Sequence, residues 1–403
     1  MKVNSWTHWQ PLKQVVLGNC FDTNFFDDVK DTKLRDSLHK IIDETKEDLQ
    51  GIKDTLTDLG VEVIQVDKKW TNACQINPYE SFREFLEVAK SKDHPLLKPL
   101  MAPRDNYITL GDELFLTCSY SPSIAETREH PLDMFDCRLD LVDDMWKHMN
   151  TRLGPFTPNS KWLKETIGIE NEMWSEQKYF NENMKYDPFR FKNYVTKSYI
   201  YDAPFITRIG KDLLIDEERT SGFWEWYNTV KPNHQHRKKA VVVGGHNDAS
   251  MCLPRPGLVI GAPWMNKGFF EDTLPGWEQL IIEHPNNFQN QYPKEFDELK
   301  RKQSSMSWFV DGETGNKPLT DFVDTYLKEW VGYMEESIFE INMLSVDENT
   351  ILSLNYQKDV HDKLTQHNIQ PIYCRFRHRH FWDGGLHCLT VDTNREGKSE
   401  TYL

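Results

Sequence analysis

Apolar positions along the chain change period several times, and each change marks an element. The run Leu12-Lys13-Gln14-Val15-Val16-Leu17 closes on Gly18 and reads as a buried strand. From Asp31, apolar residues at Leu34, Leu38, Ile41, Leu49, Ile52, Leu56 and Leu59 keep near a 3.6-residue period, which predicts a helix capped by Gly60. Residues 61–66 return to strand character, so the chain opens as strand, helix, strand.

The next pattern recurs. Tyr107-Ile108-Thr109-Leu110 and Glu113-Leu114-Phe115-Leu116 flank Gly111-Asp112, which predicts a hairpin. Similar pairs of apolar runs lie at 205–215 around Gly210, at 251–260 around Pro254-Arg255-Pro256-Gly257, and at 342–354 around Asp347-Glu348-Asn349. Helical patterns at 321–339 and 357–366 fall between or after them. The pattern is a degenerate repeat of strands plus a helix, irregularly spaced by insertions; an ordinary mixed α/β domain with several hairpins is the plainer alternative. Asp105, Asp202 and Asp248 stand six, eight and nine residues before Gly111, Gly210 and Gly257. If the units are related by rotation, these three carboxylates converge on one axis, as blades do in a propeller.

Residues 133–197 are polar and rich in Trp and Asn and read as an insertion. Residues 286–317 read as peripheral. No low-complexity linker or compositional break divides the 403 residues, so residues 1–403 are expected to form one catalytic domain.

Charge and cysteine usage narrow the partners. A net charge of −15 argues against nucleic acid and anionic membranes and suits a cationic substrate, although most acidic proteins are simply soluble. Seven cysteines without a CxxC pair, no secretory or transit pattern and no run long enough to span a membrane make the cytoplasm the expected compartment.

The stretch Asp383-Gly384-Gly385-Leu386-His387-Cys388-Leu389-Thr390 carries the chemistry. Two glycines permit a tight turn, and a cysteine at the mouth of an apolar run can be presented as a nucleophile. On a strand, His387 would face away from the Cys388 side, which makes it a poor base. His246 and Asp248, two apart after Gly244-Gly245, would share a face if extended and offer a proton carrier beside an anionic clamp. Each residue also has a plain structural reading: Arg104 pairing with Asp105, Asp202 as a turn or cap residue, Cys388 as an inert buried thiol. The basic run 375–380 reads as a solvated sheet edge. No zinc-ligand spacing, Walker loop, dinucleotide fingerprint or GxSxG elbow occurs, so neither metal nor cofactor is expected. One thiol, one imidazole and three carboxylates suit a planar cation, since a guanidinium presents a fork of donors that carboxylates grip bidentately.

On these residues the chain resembles the arginine:glycine amidinotransferases of the guanidino-modifying, or pentein, superfamily. The resemblance is carried in order by Trp9 to Gly18 (loosely), Pro103-Arg104-Asp105, Asp202-Ala203 with Gly210 following, His246-x-Asp248, and Gly384 to Thr390. It implies a five-bladed pseudo-symmetric α/β propeller with the site on its axis and an expected homodimer. By position it makes Cys388 the nucleophile, His246 the general acid/base and Asp202 its orienting partner. Asp105 and Asp248 become the guanidinium clamp, with Arg104 counted among the substrate-binding residues. The implied reaction is cofactor-free and ping-pong, moving an amidino group from L-arginine or a related guanidine through an amidino-cysteine to a primary amine such as glycine, giving ornithine and guanidinoacetate from arginine and glycine. The arginine that holds the donor carboxylate in the family has no counterpart in Pro263-Trp264-Met265-Asn266-Lys267. A guanidine hydrolase of the same superfamily, a binding protein that keeps the fold without catalysis, and a cysteine peptidase are the rivals.

Overall fold

A computed structural model describes residues 3–72, 77, 79–88, 96–116, 195–198, 203–216, 220, 223–243, 245–286, 288–302, 308–328, 330–331 and 338–403. Its class is α/β. Fifteen strands among the described residues form five three-stranded sheets with one repeated pattern, an antiparallel pair extended by a parallel strand. Strands β1 (Leu12–Leu17) and β2 (Glu62–Gln65) are parallel neighbours. The second sheet holds β3 (Tyr107–Leu110), β4 (Glu113–Leu116) and β5 (Val195–Ser198), the third β6 (Ile206–Ile209), β7 (Asp212–Asp216) and β8 (Arg237–Val241). The fourth holds β9 (Met251–Arg255), β10 (Leu258–Gly261) and β11 (Glu278–Ile281), the fifth β12 (Leu344–Asp347), β13 (Thr350–Ser353) and β14 (Gln370–Tyr373). The last strand, β15 (Thr390–Arg395), runs antiparallel to β1 and completes the first sheet, so the first and last strands of the chain share one sheet.

The four expected hairpins are therefore present as β3–β4, β6–β7, β9–β10 and β12–β13. Helix α1 spans Thr32–Asp58; the Asp31 side chain caps it by accepting from Leu34 N–H at 2.9 Å, and Gly60 beyond it takes φ +79°. Its apolar face, Leu34, Leu38, Ile41, Leu49, Ile52 and Leu56, lies in one buried cluster with Leu12, Val15 and Leu17 of β1. Burying such a face is what makes a long amphipathic helix stable.

Four expectations change. The helix read over 321–339 is Lys317–Phe322 continued by a π-helical turn, Val323–Leu327, and residues 338–341 are not helical. Residues 286–317 are not wholly peripheral, because Phe288, Trp308, Phe309 and Val310 are buried. The run at 375–380 is no solvated edge: Arg377 binds Asp48 and Glu47, His378 lies 2.7 Å from Glu44, and His380 is buried. Glu44, Glu47 and Asp48 of α1 pair with Arg375, Arg377 and His378, an interaction between residues more than 300 positions apart. Most of the insertion read at 133–197 lies outside the described residues, and its end, Val195–Ser198, is a strand of the second sheet.

One polar cluster ties the sheets together beneath the chain's last turn. Asp392 on β15 has no exposed surface; its Oδ1 accepts from Arg104 Nη2 and Arg208 Nη2, both at 2.7 Å. Its Oδ2 accepts from Arg208 Nη2 at 2.7 Å, Arg395 Nε at 2.6 Å and Ser5 Oγ at 3.0 Å. Burial alone would raise this carboxyl, but Arg208, Arg104 and Arg395 hold it well below the usual carboxylate range. Removing a buried charge's only anionic partner costs about 3–5 kcal/mol. Asp392→Asn is accordingly expected to lower unfolding free energy by roughly that amount in chemical denaturation. The folded carboxyl titrates below its unfolded counterpart, so its contribution is present above about pH 4 and fades in acid; the gap to wild type should shrink there. A gap under about 1 kcal/mol at neutral pH would contradict this role.

Candidate active site

A short segment leads into the first strand of each hairpin, and these segments carry the candidate residues. Pro103–Asn106 is one helical turn before β3, Ala203–Phe205 a 3-10 turn before β6, and Asn247–Ser250 a helical turn before β9. Asn342 stands two residues before β12, and Cys388 two before β15. The turn at 103–106 touches the one at 203–205, which touches the one at 247–250.

Cys388 sits at the centre. It lies in a turn rather than at the start of a strand, since β15 begins only at Thr390. Its N–H donates to Asn342 Oδ1 at 3.0 Å, and Asn342 Nδ2 lies 2.9 Å from its sulfur. Asn342 Nδ2 also reaches the carbonyl of Asp248 at 3.2 Å. A methyl group on Gly385 would stand 2.6 Å from Asn342 Cβ and 2.7 Å from its carbonyl oxygen, so only glycine lets this turn approach so closely.

Asp248 is buried, with Oδ2 2.7 Å from His387 Nδ1 and 3.6 Å from the Cys388 sulfur. Its Oδ1 is also buried and accepts no hydrogen bond among the described residues. A buried carboxylate oxygen without a donor is costly, and a ligand that supplies N–H groups would satisfy it. Burial works to raise the Asp248 carboxyl; the His387 hydrogen bond and the electrostatic pull of His387, His246 and Arg104 outweigh burial and hold it below the usual range. The Cys388 thiol moves the opposite way. Burial raises it well above the ordinary value, the negative charges of Asp248 and then Asp105 raise it further, and the Asn342 hydrogen bond pulls it down. The resting sulfur is thus a thiol, and a cation placed between it and the two carboxylates favours the thiolate.

The residues singled out from sequence fall into three groups. Asp105, Asp248 and Cys388 share one electrostatic environment, and His246 is close enough to Asp248 to act on its charge. The His246 ring meets Phe205 edge to face at 4.9 Å. Because residues 247–250 form a helical turn, strand alternation is not what relates His246 to Asp248. Asp202 lies outside the described residues. Arg104 is 3% exposed and donates to Asp392, to the carbonyl of Thr390 at 2.9 Å and to that of His387 at 3.3 Å. This places it under the Cys388 turn, paired with Asp392 and not with Asp105.

Two site residues were not anticipated. His387 faces Asp248 because 386–389 is a turn, where the two-residue alternation of a strand does not hold. Asn342 occupies, before the fifth sheet, the place that Asp105 and Asp248 occupy before theirs, so the repeat itself was the signal that could have found it.

No protein-family model matches the chain. The chain is 19% identical over 420 residues to an inosamine-phosphate amidinotransferase of Streptomyces glaucescens, covering 98% of this chain and 97% of the other. A 71-residue stretch, 18% of this chain and 20% of the other, is 32% identical to an L-arginine:L-lysine amidinotransferase of Pseudomonas savastanoi pv. phaseolicola. Among solved structures, an inosamine-phosphate amidinotransferase of Streptomyces griseus aligns with a TM-score of 0.54 at 16% identity, over 99% of both chains. An amidinotransferase of Microseira wollei from the saxitoxin pathway aligns with a TM-score of 0.53 at 15% identity, over 100% of this chain and 99% of that one. At this identity the structural likeness shows a shared fold.

The electrostatics of the sulfur yield a prediction. The rate of Cys388 alkylation by neutral iodoacetamide should rise with pH along a curve displaced above that of an ordinary thiol. Asp105→Asn and Asp248→Asn should each move that curve down, Asp248→Asn by more. A curve unmoved by both changes would contradict the assignment.

Proposed function

We propose that this protein is a cofactor-free amidinotransferase of the pentein type, with L-arginine as donor and a primary amine, glycine first, as acceptor. The observation that carries the reading is Asp248: one oxygen beside the Cys388 sulfur, the other buried and without a donor among the described residues. A guanidinium meets both demands, giving N–H groups to the carboxylate and its electrophilic carbon to the sulfur. Similarity over nearly the whole length to an inosamine-phosphate amidinotransferase supports this chemistry. The five sheets of one pattern, with β15 returning to β1, support a five-bladed propeller whose entry segments meet on its axis.

In this reading Asp105 and Asp248 grip the guanidinium, and its charge lowers the Cys388 thiol so that the sulfur's proton passes to His246. The thiolate attacks the guanidine carbon. His246 protonates the departing δ-amine, the carbon–nitrogen bond breaks, and ornithine leaves behind an amidino-cysteine. The acceptor amine, losing its proton to His246, attacks the same carbon, the carbon–sulfur bond breaks to release the new guanidine, and His246 returns its proton to the sulfur, restoring the thiol. Asp202 orients His246. Asn342 holds the sulfur between its amide and the carboxylates.

Mass spectrometry of protein quenched with L-arginine alone should show one amidino group on Cys388, and Cys388→Ala should show none while remaining folded. Ornithine release should then depend on added amine, in a screen of glycine, lysine and an aminocyclitol phosphate. No adduct at saturating arginine would overturn the reading; citrulline without added amine would turn it into a hydrolase. His246→Ala should lower turnover by about 100-fold or more, the contribution of a positioned acid/base.

A further inference from the structure

Two histidines that this chemistry does not use stand in line behind Asp248. The peptide N–H of Arg208 lies 3.3 Å from His8 Nε2. A peptide nitrogen only donates, so His8 Nε2 accepts and the neutral ring carries its proton on Nδ1. His8 Nδ1 is 3.1 Å from His387 Nε2, which must therefore accept in turn. The His387 proton is then on Nδ1, 2.7 Å from Asp248 Oδ2. One peptide group thus sets the direction of the whole chain of hydrogen bonds. A second proton on either ring would bring two N–H groups head to head.

The surroundings agree with two uncharged rings. Burial, then Arg208, His387 and Arg104 hold His8 well below the ordinary imidazole value, against the pull of Asp392. Burial and Arg104 hold His387 down, against Asp248 and Asp392. The rings lie 5.1 Å apart between centroids.

We propose that His8 and His387 form a one-way strut of two neutral imidazoles, whose fixed tautomers pin Oδ2 of Asp248 and so aim its free Oδ1 at the guanidinium. Both are positioning residues, and the claim about the guanidinium rests on the function proposed above. Without the strut, Oδ2 is released 3.6 Å from the sulfur and the carboxylate loses the orientation that presents Oδ1.

Nitrogen-15 NMR of the resting wild-type protein tests the strut without any turnover. Both rings should appear as the neutral Nδ1–H tautomer and keep that form through the pH range in which free imidazole titrates. Either ring in the Nε2–H form, or titrating as free imidazole does, overturns the proposal. Binding of L-arginine to the Cys388→Ala protein, by calorimetry, adds the second arm. His387→Asn keeps an N–H near the Nδ1 position, whereas His387→Gln does not. In that background Gln should weaken binding about ten-fold or more and Asn only a few-fold, the loss of one hydrogen bond to a charged group. Equal binding by the two variants overturns the strut. If Cys388→Ala itself fails to bind arginine, the guanidine reading falls, and the tautomers still decide the strut.

Discussion

A half-buried sulfur 3.6 Å from a buried, ionised carboxylate is the constraint around which the structure is arranged. At that spacing two negative charges repel by about 5 kcal/mol even at an effective dielectric constant of 20. The site therefore resists its own activation until a cation arrives. In the proposed function such a device would couple nucleophile formation to the presence of the right ligand: a neutral molecule of the same size would gain little, and a planar cation would both bind and switch the sulfur on.

Holding like charges together requires support from behind, and the fold provides it in two layers. Immediately around the sulfur, Asn342 bridges the Cys388 N–H and Sγ, and Gly385 allows the turn to lie against it. Below that turn, Arg104, Arg208 and Arg395 converge on Asp392, and Arg104 also ties down the carbonyls of His387 and Thr390. The surplus of buried positive charge under the turn balances the carboxylates above it. Because these residues come from β6, β15 and the turn before β3, the site forms only when distant sheets have come together. That β15 pairs with β1 makes the first and last strands part of the same assembly.

Much of the scaffold was legible in the sequence because local periodicity is local physics. The helix from Asp31 to Gly60 and all four hairpins follow from apolar spacing and turn residues, and the offsets of Asp105 and Asp248 from their hairpins marked the side chains that gather near Cys388. What escaped notice depended on long-range partners or on the details of a turn. Strand geometry would turn His387 away from the Cys388 side but does not hold at 386–389, and Asn342 is an uncharged residue in an apolar context that only the repeat singles out. Arg104 carried no mark in sequence that its partner would be Asp392, some 288 residues away. The basic run at 375–380 looked solvated because its acidic partners are on α1, at the other end of the chain.

The central claim is that a planar cation converts the Cys388 thiol into a thiolate. Ultraviolet thiolate absorbance at neutral pH, followed as acetamidinium is added, measures this directly. The account predicts a saturable rise in wild type, none in Cys388→Ala, and a smaller rise in Asp248→Asn. Strong thiolate absorbance before any cation is added, or none after saturation with a cation that demonstrably binds, would contradict it.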